Sequence, residues 1–227
     1  MKLNESSKII IDIFNNEKKN LIKKKLTKHA AFIKNSDLII NASGILGEIK
    51  SIKNLSLNNF QKTLDINFFS NLIILQTISK FINKKKLSII FFSGGGVTSY
   101  RQNLSAYSIS KLALVKLVEI AAKEMKEKLI QINAIAPGII NSKMTKIILK
   151  NRKLVSNEEL KKIKHQRKLT NETLDKLYNL INFLTSSKGK MISGKLISSK
   201  WDGIEKWSMR KLNKLIKSDL YTIRRIQ

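Results

Sequence analysis

Five short runs of apolar residues divide the chain at intervals. Each is rich in isoleucine without strict alternation, which is typical of strands buried on both faces of a parallel sheet. The predicted strands are Lys8–Ile13, Asp37–Ala42, Leu87–Phe92, Ile130–Ile135 and Lys195–Ser199. Segments of helical periodicity separate them, and the predicted helices are Glu17–Lys34, Ser56–Asn83, Ser105–Lys128 and Asn171–Ser186. Strands and helices therefore alternate, which predicts a doubly wound parallel α/β sheet.

Two stretches fall outside this alternation. Ser142–Lys168 is highly charged, and we expect it to form a mobile helical insertion. The basic segment Lys206–Gln227 is predicted to pack as an extra helix or arm. With 227 residues, one proline and nine glycines, the chain has no recognisable linker, so we predict a single domain over residues 1–227.

The net charge of +28 brings polyanion partners into consideration, nucleic acid or an acidic membrane among them. However, only six of the 44 basic residues are arginines, and the lysines are scattered along the chain. Arginine forks and interleaved aromatic residues, which nucleic-acid readers favour, form no pattern here. We therefore interpret the lysines as solvated surface and expect no specific nucleic-acid partner, with polyanion binding kept as an alternative.

The composition also limits the chemistry of any site. There is no cysteine, which excludes disulfides and thiolate sites, and the two histidines, His29 and His165, stand apart, so no metal site is expected. The opening residues contain neither a signal peptide nor an apolar run long enough to span a membrane. We expect a cytoplasmic protein without a membrane span.

The most informative local pattern is Tyr107-Ser108-Ile109-Ser110-Lys111 at the start of a predicted helix. Residues four apart lie on one helix face, so the ammonium of Lys111 is expected near the phenol of Tyr107. A nearby cation lowers the pKa of a phenol from about 10, which would make Tyr107 a usable general acid or base.

Five motifs, in the same order along the chain, resemble those of the short-chain dehydrogenases/reductases. SAYSISKLALVKLVEIAAKEM resembles the active-site helix of that family, and IIFFSGGG places Ser93 at a strand end as the family does. The family's helix asparagine corresponds to Asn67 in LDINFFS. LIINASG resembles its NNAG turn, and INAIAPGIINSKM its PG segment. The resemblance implies a Rossmann-like fold and an NAD(P)-dependent oxidoreductase that acts on a carbonyl or alcohol.

The resemblance also implies roles for particular residues. Tyr107 would be the acid/base, and Lys111 would lower its pKa and bind the nicotinamide ribose. Ser93 would donate to the substrate oxygen, an oxyanion-type contact, and Asn67 would hold a water in a proton relay. The positions that correspond to cofactor-binding residues are Asp12, Asn41, Ala42, Ser43, Gly44, Tyr107, Lys111, Pro137, Gly138, Ile140 and Ser142.

Two departures from the family pattern stand out. Ser93 precedes Tyr107 by fourteen positions, one more than usual, and Gly94 occupies the usual position, so Thr98 is an alternative source of the hydroxyl. The glycine-rich pyrophosphate motif is absent, since the first glycine in the chain is Gly44. We therefore expect a sheet truncated at the N-terminus, lacking the family's first two strands. Such a chain alone would bind dinucleotides weakly and fold poorly as a monomer.

Other expectations follow from the resemblance alone. The cofactor is NAD or NADP, and the assembly is a homodimer or homotetramer. ISGKLISSKWD and the terminal DLYTIRRIQ resemble a subgroup that acts on sugar or polysaccharide precursors. An alternative from a different class is a non-catalytic remnant or partner subunit of such an enzyme.

Overall fold

Four parallel strands form the central sheet. The computed structural model describes residues 19–82, 87–126 and 130–224. The strands are β1 (Leu38–Asn41), β2 (Leu87–Phe92), β3 (Ile130–Ala136) and β4 (Leu196–Ser198), and they are hydrogen-bonded in that order. The parallel α/β sheet and four of the five predicted strands are confirmed. The fifth predicted strand, Lys8–Ile13, lies outside the described residues.

Nine α-helices lie in the described part of the chain. They are α1 (Lys19–Lys28), α2 (Ala30–Asn35), α3 (Leu57–Leu64), α4 (Ser70–Phe81), α5 (Ser105–Glu124), α6 (Lys143–Lys150), α7 (Asn157–Arg167), α8 (Thr170–Thr185) and α9 (Met209–Lys217). Short 3-10 turns lie at Ile52–Asn54, Arg152–Leu154 and Ile204–Lys206. Within the described ranges, no helix is long and apolar enough to cross a bilayer.

Helices cover both faces of the sheet. Ile89 and Phe91 of β2 pack in one buried cluster with residues of α1, α4 and α5, whereas Ile90 packs in a second cluster with α8 and α9. Because helices cover both faces at β2 and β3, these two strands are buried at every position except the last. Ile40 of β1, at the edge of the described sheet, is 43% exposed. Helices α1 and α9, both rich in lysine, therefore lie on opposite faces of the sheet.

The helix predicted over Ser56–Asn83 is interrupted. Ser56 caps it by accepting a hydrogen bond from the Asn59 amide, and a π-helical turn, Asp65–Phe69, separates α3 from α4. Asn67 lies within this turn and is fully buried. A π turn inserts one extra residue into a helix, and such turns are frequent at functional sites.

The predicted insertion between β3 and α8 forms α6 and α7. Ser142 begins α6 through a reciprocal pair of bonds with Thr145, which is a capping box. Ile148 of α6 and Ile163 of α7 are buried in a third apolar cluster, which also contains Tyr107. The segment therefore packs over the start of α5, and its mobility stays a prediction.

The C-terminal tail folds back along the outer edge of β4. The Leu196 amide donates to the carbonyl of Tyr221 at 2.8 Å, and Lys195 Nζ donates to the carbonyl of Leu220 at 3.0 Å. The end of the tail is held by Glu119 of α5, which is 5% exposed. Glu119 accepts from the Ile223 amide at 2.5 Å and from Arg224 Nη1 at 3.0 Å. This strap supplies β4 with a main-chain partner on its outer side.

Replacing Glu119 should release the strap. Burial alone would raise the pKa of Glu119, but bonds from Lys116, the Ile223 amide and Arg224 hold it below its ordinary value. We expect Glu119→Ala to reduce the free energy of unfolding by about 1–3 kcal/mol near pH 7. Because the folded-state pKa is lowered, this difference should shrink as the pH falls below about 4.

Urea titration of the wild type and of Glu119→Ala, near pH 7 and below about pH 4, measures the difference in the free energy of unfolding. Glu124→Ala, an exposed substitution on the same helix, is the matched control. Equal losses in the two variants would contradict the account of the strap.

Candidate active site

The site is organised by the first two turns of α5, at the carboxyl end of the sheet. Tyr107 and Lys111 lie one turn apart on α5 and are 6% and 3% exposed. Further along α5, Leu114, Val115 and Val118 are buried in the cluster that packs against β2 and β3. This apolar contact fixes the helix on the sheet and so determines where the two polar side chains lie.

Lys111 connects α5 to the ends of two strands. Its Nζ donates to the carbonyl of Phe92, the last residue of β2, at 2.8 Å. It also lies beside the turn after β1, because a Cβ built on Gly44 would be 3.1 Å from Nζ. Burial lowers the pKa of Lys111 to about 8. Among the described residues, it forms no ion pair with a carboxylate.

The pKa of Tyr107 is shifted in the direction opposite to the one expected. We expected the ammonium of Lys111 to lower the pKa of Tyr107, and this was wrong. Burial raises the pKa of Tyr107 above its ordinary value, Arg101 acts in the opposite direction, and Glu159 raises it further. The physical reason is that α6 and α7 enclose the phenol in an apolar cluster, while Lys111 Nζ lies 6.0 Å from the ring centroid and bonds to Phe92 instead.

The three glycines after Ser93 bring the loop against α5. A Cβ on Gly94 would lie 2.1 Å from the Tyr107 hydroxyl, and one on Gly96 would lie 2.3 Å from Ser108 Oγ. Gly96 also has a φ of +94°, which side chains rarely adopt. Gly95 has ordinary space, since its nearest neighbour would be Arg101 Cδ at 3.5 Å. The glycines thus permit close contact between this loop and Tyr107.

Ser93 is buried directly after β2. Its amide donates to the Ile135 carbonyl at 2.8 Å, which extends the pairing of β2 with β3. Its Oγ is buried and has no hydrogen-bond partner. Thr98, the alternative hydroxyl, is exposed. The residue that abuts the Tyr107 hydroxyl is Gly94, the position at which the family pattern usually has its serine.

Asn67 clamps the turn after β1 onto α5. Its Oδ1 accepts from the Ile45 amide at 2.8 Å, and its Nδ2 donates to the Ile45 carbonyl and to Ser110 Oγ, each at 2.9 Å. The main-chain carbonyl of Asn67 accepts from Asn71 Nδ2 at 2.6 Å. These contacts favour a positioning role, and the proton relay stays a prediction.

The predicted cofactor residues near β1 lie at the end of that strand and in the turn after it. Asn41 ends β1 and is buried, with Nδ2 donating to Asn71 Oδ1 at 2.5 Å and Oδ1 accepting from the Ser43 amide at 3.0 Å. Ala42 is exposed. Ser43 Oγ is buried without a partner. Gly44 lies between Lys111 and Asn67, as the 3.1 and 3.3 Å distances from a built Cβ show.

The predicted residues after β3 lie beside α6 and α8. Gly138 has a φ of +80°, and a Cβ there would contact Thr173 of α8 at 3.3 Å. The Ile140 carbonyl accepts from Thr145 Oγ1 at 3.1 Å. Pro137 is half-buried, and Ser142 caps α6. Asp12 lies outside the described residues.

Residues 7–199 match the family model described as enoyl-(acyl carrier protein) reductase. The chain belongs to the short-chain dehydrogenase/reductase family. It is similar to human dehydrogenase/reductase SDR family member 2, mitochondrial, with 25% identity over 71% of this chain and 56% of that protein. It is also similar to the 3-oxoacyl-(acyl-carrier-protein) reductase of Aquifex aeolicus, with 27% identity over 71% of this chain and 62% of the relative.

Solved structures of this family share the fold. A 4-hydroxyisoleucine dehydrogenase mutant complexed with NADH and succinate is 25% identical, with a TM-score of 0.67 over 84% of this chain and 76% of that one. A short-chain dehydrogenase of Escherichia coli CFT073 complexed with NADPH is 17% identical, with a TM-score of 0.66 over 85% and 74%. The chain spans less than two thirds of the length of the two curated family relatives above.

Several residues of the site in this family member were not singled out from the sequence. Ser110 donates to the Tyr107 carbonyl at 2.7 Å and accepts from Asn67. Asn71 joins Asn41 to Asn67, and its spacing of four from Asn67 was a usable signal. Arg101 lies 58 positions from its partner Glu159, a separation without any local pattern.

Gly94→Ala should displace Tyr107, because the new Cβ would lie 2.1 Å from the phenol oxygen. We expect a loss of about 1–3 kcal/mol in the free energy of unfolding. In the Tyr107→Phe background the loss should be smaller, since the clashing oxygen is gone. Gly95→Ala, whose Cβ has ordinary space, is the control. Denaturant titration of Gly94→Ala, Tyr107→Phe, the double variant and Gly95→Ala gives the free energies of unfolding. If Gly94→Ala costs as much stability in the Tyr107→Phe background as in the wild type, this contact is not the cause.

The burial of Lys111 predicts a pH-dependent stability difference. Because the folded-state pKa of about 8 lies below the ordinary value, the cost of burying the ammonium is fully present below pH 8. It is relieved as the pH rises towards about 10.4. Lys111→Met should therefore unfold less readily than the wild type at pH 7, by about 1–3 kcal/mol, with the difference narrowing by pH 9.5.

Urea titration at the two pH values tests this expectation. Lys146→Met, at an exposed position of α6, controls for the general loss of positive charge. A stability difference that does not change with pH would contradict the assigned cost of burial.

Proposed function

We propose that the chain carries the catalytic half of an NAD(P)-dependent oxidoreductase, which transfers a hydride between a nicotinamide cofactor and a carbonyl or alcohol substrate. The observation that carries the proposal is the placement of Lys111. Its buried ammonium lies between the end of β2 and the glycine turn after β1, one helical turn from Tyr107. Ligands of open α/β sheets bind at this carboxyl edge.

The described residues fit the nicotinamide half of such a cofactor. Lys111 Nζ has hydrogen-bonding capacity beyond its bond to Phe92. Ser43, which directly precedes Gly44, has a buried hydroxyl without a hydrogen-bond partner. Buried hydroxyls without partners are uncommon in folded proteins, and a bound cofactor would supply the missing partner here. Lys111 would hold the nicotinamide ribose, and the Asn41–Gly44 and Pro137–Ser142 segments would flank the ring.

The cofactor, NAD or NADP, would supply or accept the hydride. NADH and NADPH are named in the two solved structures described above, which supports a nicotinamide here. Within the described residues, no glycine-rich turn leads directly from a strand into a helix, so the fit concerns the nicotinamide end alone.

Tyr107 would exchange the proton with the substrate oxygen. Burial keeps its phenol protonated at neutral pH, which suits it to donate to a carbonyl oxygen as the carbon receives hydride. Ser93 Oγ, buried and without a partner, would donate a second hydrogen bond to that oxygen. Asn67 would hold the turn after β1 at a fixed distance from α5.

A non-catalytic partner subunit is the second candidate. Gly94, rather than a serine, abuts the phenol, and the raised pKa of Tyr107 opposes formation of the phenolate that alcohol oxidation requires. A subunit of this kind would retain the fold and lack turnover with every carbonyl substrate.

The remaining expectations belong to the same proposal. They are a sugar or polysaccharide precursor as substrate, a homodimer or homotetramer, and a cytoplasmic location. The positions of the α1 and α9 lysines on both sides of the sheet support a solvated basic surface over a specific polyanion site.

Tyr107→Phe should reduce turnover by at least about 100-fold and change cofactor affinity by less than about threefold, because the hydroxyl acts in the transition state. NADH and NADPH oxidation against a panel of aldehydes and ketones measures turnover, with the protein made from its complete coding sequence. Tyr100→Phe, at a residue that is 88% exposed, is the control. Substantial activity in Tyr107→Phe would reject the assignment, and an inactive wild type would favour the non-catalytic subunit.

A further inference from the structure

Arg101 is a charged residue that lies beside Tyr107. It lies in the loop between β2 and α5, with its side chain 12% exposed. Its guanidinium carbon is 5.3 Å from the centroid of the Tyr107 ring. Arg101 Nη2 bonds to Glu159 Oε1 at 2.6 Å, and Nη1 reaches the Gly95 carbonyl at 3.5 Å. The cation is thus enclosed next to the proposed acid/base.

The guanidinium has more donors than these contacts use. An arginine stays charged at any ordinary pH and presents five N–H groups in a planar fork that fits a carboxylate through two parallel bonds. Glu159 approaches through one oxygen, and the contact to Gly95 is long. The carboxylate of Glu159 therefore occupies only part of the capacity of Arg101.

The charges around Tyr107 are unbalanced. Arg101 and Lys111 are two enclosed cations, and the only described carboxylate that bonds to either of them is Glu159. An enclosed cation without a counter-ion is unfavourable, so a second anion would be stabilised there. The buried Ser108 Oγ has no partner and, like Arg101 Cδ, borders Gly96. It offers a further hydrogen bond next to the arginine.

We propose that Arg101 is a specificity-determining residue that binds a carboxylate of the substrate through the donors that Glu159 leaves free, and that the Glu159 carboxylate competes with it for the guanidinium. The inference rests on the proposed function and adds the substrate class to it. The guanidinium carbon lies 5.3 Å from the centroid of the Tyr107 ring. The substrate carboxylate therefore lies only a few bonds from the substrate carbon that exchanges the hydride. The substrate is an oxo acid, or the corresponding hydroxy acid.

Binding of 4-oxopentanoate and of its methyl ester, measured by calorimetry at about 0.15 M salt, tests the proposal. The wild type should bind the acid at least about tenfold more tightly than the ester. Arg101→Gln should abolish this preference, and Arg101→Lys should retain only part of it, because lysine keeps the charge without the fork. Glu159→Gln should strengthen binding of the acid by about three- to tenfold, since the competing anion is removed.

Arg152→Gln is the matched control, because it removes the same charge from an exposed position. It should leave the preference for the acid unchanged. An equal loss in Arg152→Gln and Arg101→Gln would overturn the proposal in favour of general attraction by a basic surface. Failure of the wild type to bind 4-oxopentanoate, or weaker binding of it by Glu159→Gln, would also overturn it.

Turnover separates this inference from the proposed function. In one outcome, the wild type oxidises NADPH with the same kcat/KM for the acid and for its methyl ester, and Arg101→Gln leaves both values unchanged. That outcome would overturn the carboxylate site and support the oxidoreductase. Selective binding of the acid that depends on Arg101, without turnover of any carbonyl, would support the carboxylate site and reject the oxidoreductase.

Discussion

The ammonium of Lys111 donates to the carbonyl of Phe92, and this bond joins α5 to the carboxyl end of β2. A buried ammonium requires acceptors, so the strand end, the helix and the turn at Gly44 are constrained to meet around it. Tyr107 takes its position from the same helix one turn earlier. The geometry of the proposed site therefore depends on a cation that burial disfavours and that the carbonyl of β2 stabilises.

Two kinds of polar group lie at this edge of the sheet. The side-chain amides of Asn41 and Asn71 are bonded to each other, Asn71 donates to the main-chain carbonyl of Asn67, and the Asn67 amide accepts from the Ile45 main chain. This buried network rigidifies the turn after β1. By contrast, the hydroxyls of Ser43 and Ser93 are buried without partners. The first group supports the structure, and the second is where a ligand would complete the hydrogen bonding.

The sheet and the positions of Tyr107 and Lys111 could be predicted from the sequence, because both depend on local pattern. Isoleucine-rich runs report burial on two faces, and a spacing of four reports one helix face. The π turn at Asn67 could not be predicted in this way, since it accompanies bonds to Ile45 and Ser110, which are distant in sequence. The direction of the Tyr107 pKa shift was missed for the same reason. The enclosing side chains come from α6 and α7, and α7 also carries Glu159, which lies 58 positions after Arg101.

The strap at β4 and the site share one rigid element. Glu119, which holds the end of the tail, and Lys111 lie on the same uninterrupted helix, about 12 Å apart along its axis. A protease that cuts the lysine-rich tail would leave the sheet unbroken but remove the restraint on the far end of α5. Leu114, Val115 and Val118 would still hold α5 on the sheet, so the near end of the helix, which carries Tyr107, should keep its place. Limited digestion of the tail is therefore expected to expose the outer edge of β4 and to leave the proposed site intact.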